Sequence, residues 1–112
     1  MEMVQVPSEL DFDSMPLTKW NIPQPAMAAP WIEAIEAGGL DLILCPGIAF
    51  TTEGYRLGRG MGYYDRYLQK LKAHCPDKKM TLVGLALSVQ IVPDGELPRG
   101  PNDVKLDHIL QA

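Results

Sequence analysis

At 112 residues, with 46% hydrophobic and 21% charged residues, the chain has the size and composition of one small folded domain, which excludes a disordered polymer. Its formal net charge of −4 argues against a scaffold held on nucleic acid by bulk positive charge. Cys45 and Cys75 have no CxxC or histidine-rich neighbourhood, so neither zinc nor a disulfide framework is expected, and Cys45 reads as a small buried hydrophobe.

No signal peptide or membrane span is visible, because the apolar stretch around 42–50 is interrupted by Pro46 and Gly47. A reducing cytosol is the expected compartment, with the mitochondrion as the alternative. No membrane or nucleic-acid partner is expected, and the oligomeric state is left open.

In chain order, Met3-Val4-Gln5-Val6 alternates weakly and predicts a short strand stopped by Pro7. Residues 7–30 carry Pro7, Pro16, Pro23, Pro25 and Pro30, a density that predicts an extended, irregular segment. Trp20, Ile22 and Leu17 would pack it onto the domain. Residues 30–37 read as a short helix closed by Gly38-Gly39. Residues 40–45 form a near-continuous apolar run, the pattern of a strand buried on both faces.

Tyr64, Tyr67, Leu68 and Leu71 then mark the apolar stripe of a helix over 63–73, stopped by Cys75-Pro76. Residues 80–87 read as a second buried strand, and 104–110 as a third, alternating one. Strand, helix and strand in this order predict an α/β domain with a small, largely parallel sheet and flanking helices. Three strands and two helices leave such a sheet thin. Either the chain oligomerises or it is the C-terminal part of a larger three-layer α/β domain. The whole of 1–112 is then one partial domain.

The chemistry concentrates in residues 46–62, a glycine-rich ligand loop that leads on from the first buried strand. Its core, Gly54-Tyr55-Arg56-Leu57-Gly58-Arg59-Gly60-Met61-Gly62-Tyr63-Tyr64-Asp65-Arg66, runs into the helix. Three of the ten basic residues lie between 56 and 66, a local positive patch on an acidic chain. Glycines let a backbone approach a ligand closely, and a helix N-terminus attracts anions. The pattern reads as a phosphate-binding turn, with a plain structural turn as the alternative. It is neither GxxxxGK[ST] nor GxGxxG, so it matches neither common nucleotide motif.

RLGRGMGYYDRYL, residues 56–68, resembles the signature of the 5-formyltetrahydrofolate cyclo-ligase (5,10-methenyltetrahydrofolate synthetase) family. Trp20-Asn21-Ile22-Pro23-Gln24-Pro25, then Asp41-Leu42-Ile43 with Pro46-Gly47 and Phe50, then Gln90, Pro98, Asp103 and Asp107, are similar to other family stretches in the same order. Thr51 stands where aspartate is frequent, and Met61 where lysine or glycine is common. The family's N-terminal half has no counterpart, so the chain resembles the C-terminal portion alone.

The resemblance implies an ATP-dependent cyclisation of 5-formyltetrahydrofolate to 5,10-methenyltetrahydrofolate. The formyl oxygen attacks the γ-phosphate, and N10 then closes the ring as phosphate leaves. It places Arg56, Leu57, Gly58, Arg59, Gly60, Met61, Gly62, Tyr63 and Tyr64 around ATP. Trp20, Arg59, Gly60, Met61, Gly62 and Tyr63 would face the folate, with Arg59 and Tyr63 as the catalytic pair. Asp65 and Asp107 match positions associated with Mg²⁺.

Read without the resemblance, these residues have plainer roles. Tyr64 belongs to the helix stripe, Arg66 pairs with a carboxylate at the surface, Asp65 stabilises a helix N-terminus, Asp107 faces water and Trp20 is a packing anchor. His74 and His108 receive no role. A truncated, inactive isoform that keeps a nucleotide-binding loop is the alternative to an active enzyme. A sugar-phosphate or acyl-carrier binding module on a similar sheet is a third class, resting on fold analogy alone.

Overall fold

The two apolar runs around 43 and 83 become neighbouring parallel strands. A computed structural model describes residues 1–26, 30–58, 62–98, 100 and 103–112. Strand β1 (Leu42–Cys45) pairs with β4 (Thr81–Ala86), and β4 pairs on its other side with β6 (His108–Gln111), giving a parallel sheet of order β1-β4-β6. Between β1 and β4 the chain crosses over through helix α2 (Tyr63–His74). The apolar stripe of α2 buries Tyr67, Leu68 and Leu71 against Ile43, Cys45 and Leu82, which together form the core. The domain is mixed α/β with a parallel sheet, as the run of elements predicts.

The expectation that the strands are buried on both faces is corrected. β1 alternates, with Ile43 and Cys45 inside and Leu42 and Leu44 more than half exposed, at 55% and 52%. The register puts Leu42 beside Thr81, Leu44 beside Val83 and Leu85 beside Leu110, so these residues share the outer face. α2 covers only the inner one.

Three further short strands escape the sequence reading. β2 (Ala49–Thr51) and β3 (Arg56–Leu57) form an antiparallel hairpin within the expected ligand loop, and β5 (Ile91–Val92) adds to β2 in parallel. Runs of two or three residues among glycines and threonines carry no period to detect. Phe50 from β2 is fully buried and passes over Gly84 of β4, where an added Cβ would stand 2.7 Å from its ring. Gly54, at φ +106°, turns the hairpin, and its carbonyl accepts the Leu106 N–H at 2.8 Å. A Cβ there would meet the Leu106 carbonyl oxygen at 2.3 Å, so the contact requires glycine.

The N-terminal third departs most from expectation. Residues 3–6 make only a bridge, Val4 to Glu33, rather than a strand. Residues 30–37 form turns rather than a helix, because their backbone is committed to the chain start: Ala34 N–H donates to Met3 O and Gln5 N–H to Ile32 O. The segment expected to be extended and irregular holds a short helix, α1 (Glu9–Asp13), whose first turn is capped by the Ser8 hydroxyl. No proline falls between Pro7 and Pro16, which leaves room for that turn. The third expected strand begins late, since the Val104 and Leu106 amides are taken by Asp65 and Gly54. Among the described residues no helix is long and apolar enough to cross a membrane.

Candidate functional site

β1 ends at Cys45, and the chain turns sharply through Pro46 and Gly47. Beyond that carboxyl end lies a cavity of about 370 Å³, within the roughly 300–1,000 Å³ typical of small-molecule sites. Pro46, Gly47 and Ile48 line it together with Arg56 and Gly58 beside them, and Gly62, Tyr63 and Tyr64 line it at the start of α2. Open α/β sheets hold ligands beyond the carboxyl ends of their strands, and this cavity is in that place.

Arg56 is the keystone of the wall. Its side chain is only 7% exposed, one guanidinium nitrogen donates to Pro46 O at 3.0 Å, and the other lies 3.8 Å from the Asp65 carboxylate. The guanidinium carbon stands 5.1 Å from the centre of the Tyr64 ring. Two glycines make this burial possible. A Cβ on Gly47 would come within 2.9 Å of Arg56 Cγ, and one on Gly58 within 3.0 Å of its guanidinium. The glycine spacing therefore serves arginine packing as well as any ligand.

Asp65 completes the arrangement, since its carboxylate also accepts the Val104 N–H at 3.3 Å. Cys45 lies under the same cluster and is fully buried. Burial pushes its thiol up, against the lowering pull of Arg56 and with Asp65 raising it further. Burial likewise raises Tyr64, with Cys45 adding to the rise and Arg56 opposing it. Both groups are therefore held neutral beside Arg56.

At the rim, Tyr63 is half exposed, with the Arg66 guanidinium 5.5 Å from its ring centre. Gly62 sits in the left-handed region at φ 68° and caps α2 without a side chain. The first amides of an α-helix have no intrahelical partner, so this end of the cavity is electropositive.

The structure thus gathers Arg56, Gly58, Gly62, Tyr63 and Tyr64 around one space, with Asp65 behind Arg56. Leu57 contributes backbone to β3 and accepts the Ile48 N–H at 2.7 Å, outside the lining. Arg59, Gly60 and Met61 lie outside the described residues. Trp20 is not brought to the cavity: it is 70% exposed, with the Lys19 ammonium 4.3 Å from its ring centre.

Asp107 is placed at the foot of β6. There its carboxylate accepts the Leu82 N–H at 2.7 Å while its own N–H donates to Leu82 O, so the side chain locks the β4–β6 pairing instead of simply facing water. Sequence reasoning missed the Glu33–Tyr67 hydrogen bond, which ties the chain start to α2. It also gave Gln90 no function, although its carboxamide reaches the cavity wall. Nothing in local periodicity signals either pair, each more than thirty residues apart.

The fold and the cavity define a class, that of α/β proteins with a ligand cleft beyond the carboxyl end of a parallel strand. Residues 1–112 match the 5-formyltetrahydrofolate cyclo-ligase family. A probable 5-formyltetrahydrofolate cyclo-ligase of Caenorhabditis elegans is 44% identical over 110 residues, covering 98% of this chain and 52% of that protein. The Mus musculus 5-formyltetrahydrofolate cyclo-ligase is 43% identical, covering 98% of this chain and 53% of its own. A solved 5,10-methenyltetrahydrofolate synthetase from Mycoplasma pneumoniae superposes with a TM-score of 0.51 at 40% identity, covering 62% of this chain and 38% of that one.

The chain belongs to the 5-formyltetrahydrofolate cyclo-ligase family, and it corresponds to a C-terminal portion of it. It spans about half the length of the curated relatives it matches.

Proposed function

We propose that this chain supplies the signature wall of an ATP-dependent 5-formyltetrahydrofolate cyclo-ligase site, converting 5-formyltetrahydrofolate to 5,10-methenyltetrahydrofolate. The observation that carries the reading is the coincidence of motif and cavity. Arg56, Gly58, Gly62, Tyr63 and Tyr64 of the family-like block line one space beyond β1. Phosphoryl transfer depends mostly on positioning and charge stabilisation, so fixed cations and helix amides are the parts it needs.

In this reading the α2 N-terminus and the backbone of Gly58 and Gly62 receive the phosphates, with Arg59 and Tyr63 acting on the reacting groups. Arg56 has a supporting part: bound to Pro46 O and facing Asp65, it shapes the cavity and lends charge without reaching far into it. Tyr63 offers an exposed ring face at the rim, whereas Tyr64 is half-buried and serves as packing under Arg56. The substrate role of Trp20 requires the 16–26 arm to meet a ligand that extends beyond the cavity.

Two carboxylates suit a hard divalent cation that keeps waters and phosphate oxygens. Asp65 and Asp107 have that chemistry, and each already holds a backbone amide with one oxygen, Val104 and Leu82 respectively. Among the described residues no group of three or more histidine, cysteine or acidic side chains gathers to hold a metal. Mg²⁺ at Asp65 would therefore arrive with the nucleotide, and would supply charge neutralisation between phosphate oxygens. We place the activity in the cytosol, where the unpaired Cys45 and Cys75 stay reduced.

Purified protein with ATP, Mg²⁺ and 5-formyltetrahydrofolate should develop the ultraviolet absorbance of the methenyl product. No absorbance change at high protein concentration would overturn catalysis by this chain. A binding-only reading is favoured by the uncovered outer sheet face and the half-length match. Calorimetric titration separates the two. ATP binding that Arg59→Ala abolishes, without turnover, supports the binding-only version, and absence of ATP binding rejects both.

A further inference from the structure

The cavity wall at 46–48 has no regular secondary structure to hold it, yet both of its sides are fixed. On one side the Ile48 N–H donates to Leu57 O at 2.7 Å. On the other, Gln90 at the end of the 3-10 turn Ser88–Gln90 donates from Nε2 to Gly47 O at 3.0 Å and to Ile48 O at 3.2 Å. Its Oε1 accepts the Leu87 N–H at 2.8 Å. Every polar atom of the carboxamide is thus spent on backbone. The surrounding groups also fix which atom is which, because two carbonyls demand the nitrogen and one N–H demands the oxygen.

Gln90 is not among the residues lining the cavity, whereas Gly47 and Ile48 are. We propose that Gln90 is a positioning residue of the ligand site, which holds the Pro46-Gly47-Ile48 wall against Arg56 without touching the ligand. The proposal rests on the cavity being the nucleotide site. The wall must stay close, because Gly47 leaves so little room beside Arg56 Cγ and Phe50 that a Cβ would stand 2.9 Å from each. If the wall swings out, Pro46 O leaves the Arg56 guanidinium and the shape of the cavity goes with it.

Glutamine is suited to this place by its donor and acceptor count. Two N–H donors and one acceptor are needed at once. Glutamate has the same shape but offers only acceptors when ionised, and would set a carboxylate against two carbonyl oxygens. Methionine matches the length and offers no donor.

The test compares Gln90→Glu and Gln90→Met by amide hydrogen exchange at Ile48 and by calorimetric titration with ATP and Mg²⁺. The Ile48 amide should exchange at least about tenfold faster in Gln90→Met, the change that ~1.4 kcal/mol produces, and faster still in Gln90→Glu. Over the same series the Kd for ATP should rise in the same order. Amides of Leu68 and Leu71 in α2 should keep their rates, which marks the effect as local.

A space-filling role predicts that Gln90→Glu behaves like the parent, and that result overturns the proposal. So does acceleration of the α2 amides equal to that at Ile48, which would make Gln90 a general stability residue. Loss of ATP affinity with unchanged Ile48 exchange would place Gln90 on the ligand itself, and also overturns it. If the parent protein binds no ATP, the nucleotide reading fails, while the exchange rates still decide whether Gln90 holds the wall.

Discussion

The wall of the cavity and the outer face of the parallel sheet start from the same strand and end very differently. Leaving β1, residues 46–48 settle four backbone groups within the chain: Pro46 O on Arg56, Gly47 O and Ile48 O on Gln90, and Ile48 N–H on Leu57. Within β1 itself, Leu42 and Leu44 face outward with Leu85 and Leu110 beside them, at 43–64% exposure. Parallel sheets are ordinarily covered on both sides by their crossover helices. A chain that fixes its cavity wall but leaves a leucine face open has concentrated its polar order at the cavity and left its outer sheet face unburied. That division fits a match to about half of each relative's length.

The contrast is broken most forcefully at the hairpin that carries the wall. Gly54→Ala places a Cβ 2.3 Å from Leu106 O at φ +106°, and should cost about 4 kcal/mol or more, read as a lower urea midpoint. Next, Leu82→Ala on the covered face should cost about 3 kcal/mol, because Leu82 is 2% exposed and leaves a cavity behind.

Tyr67→Phe removes the hydroxyl that donates to Glu33, an effect of about 1 kcal/mol at neutral pH. Burial raises the Glu33 carboxyl, but hydrogen bonds from Tyr67, Ile35 and Met3 more than offset it, so the net shift is downward from 4.5. A depressed carboxylate stabilises the fold above the unfolded value, and that contribution disappears as pH falls through the folded one. Urea midpoints between pH 7 and 3 should therefore fall less steeply below about 4.5 in Tyr67→Phe than in the parent.

Smallest of all, Leu44→Ala should change stability by less than about 0.5 kcal/mol despite the same side-chain loss as Leu82→Ala. A cost of several kcal/mol at Leu44 would show that the outer face is covered in solution and would dissolve the contrast.

Much of this frame is legible in the residues. The Tyr64, Tyr67, Leu68, Leu71 stripe announces α2, because burial on one side imposes a period, and the continuous apolar runs announce β1 and β4 without showing that one face is open. What escapes is set by distant partners. Residues 30–37 have helix composition, but their amides and carbonyls meet Met3 and Gln5 first. Asp107 alternates like a surface residue and is claimed by the Leu82 amide.

The motif points to Arg56, Gly62 and Tyr63 as neighbours of one cavity. It cannot show that Arg56 is turned inward toward Asp65, or that Gln90 holds the wall from behind. Those facts depend on how β2, β3 and β5 fold around Phe50, and strands of two or three residues have too little pattern to read.

Cys45 gives this architecture a chemical clock. Its thiol has no exposure and is kept protonated beneath Arg56, Asp65 and Tyr64, so an alkylating reagent reaches it only when the cavity floor parts. Cys75, half-buried at the far end of α2, offers an internal reference in the same molecule. The ratio of the two modification rates counts how often the floor opens, and a ligand seated above it would slow that count without being labelled itself.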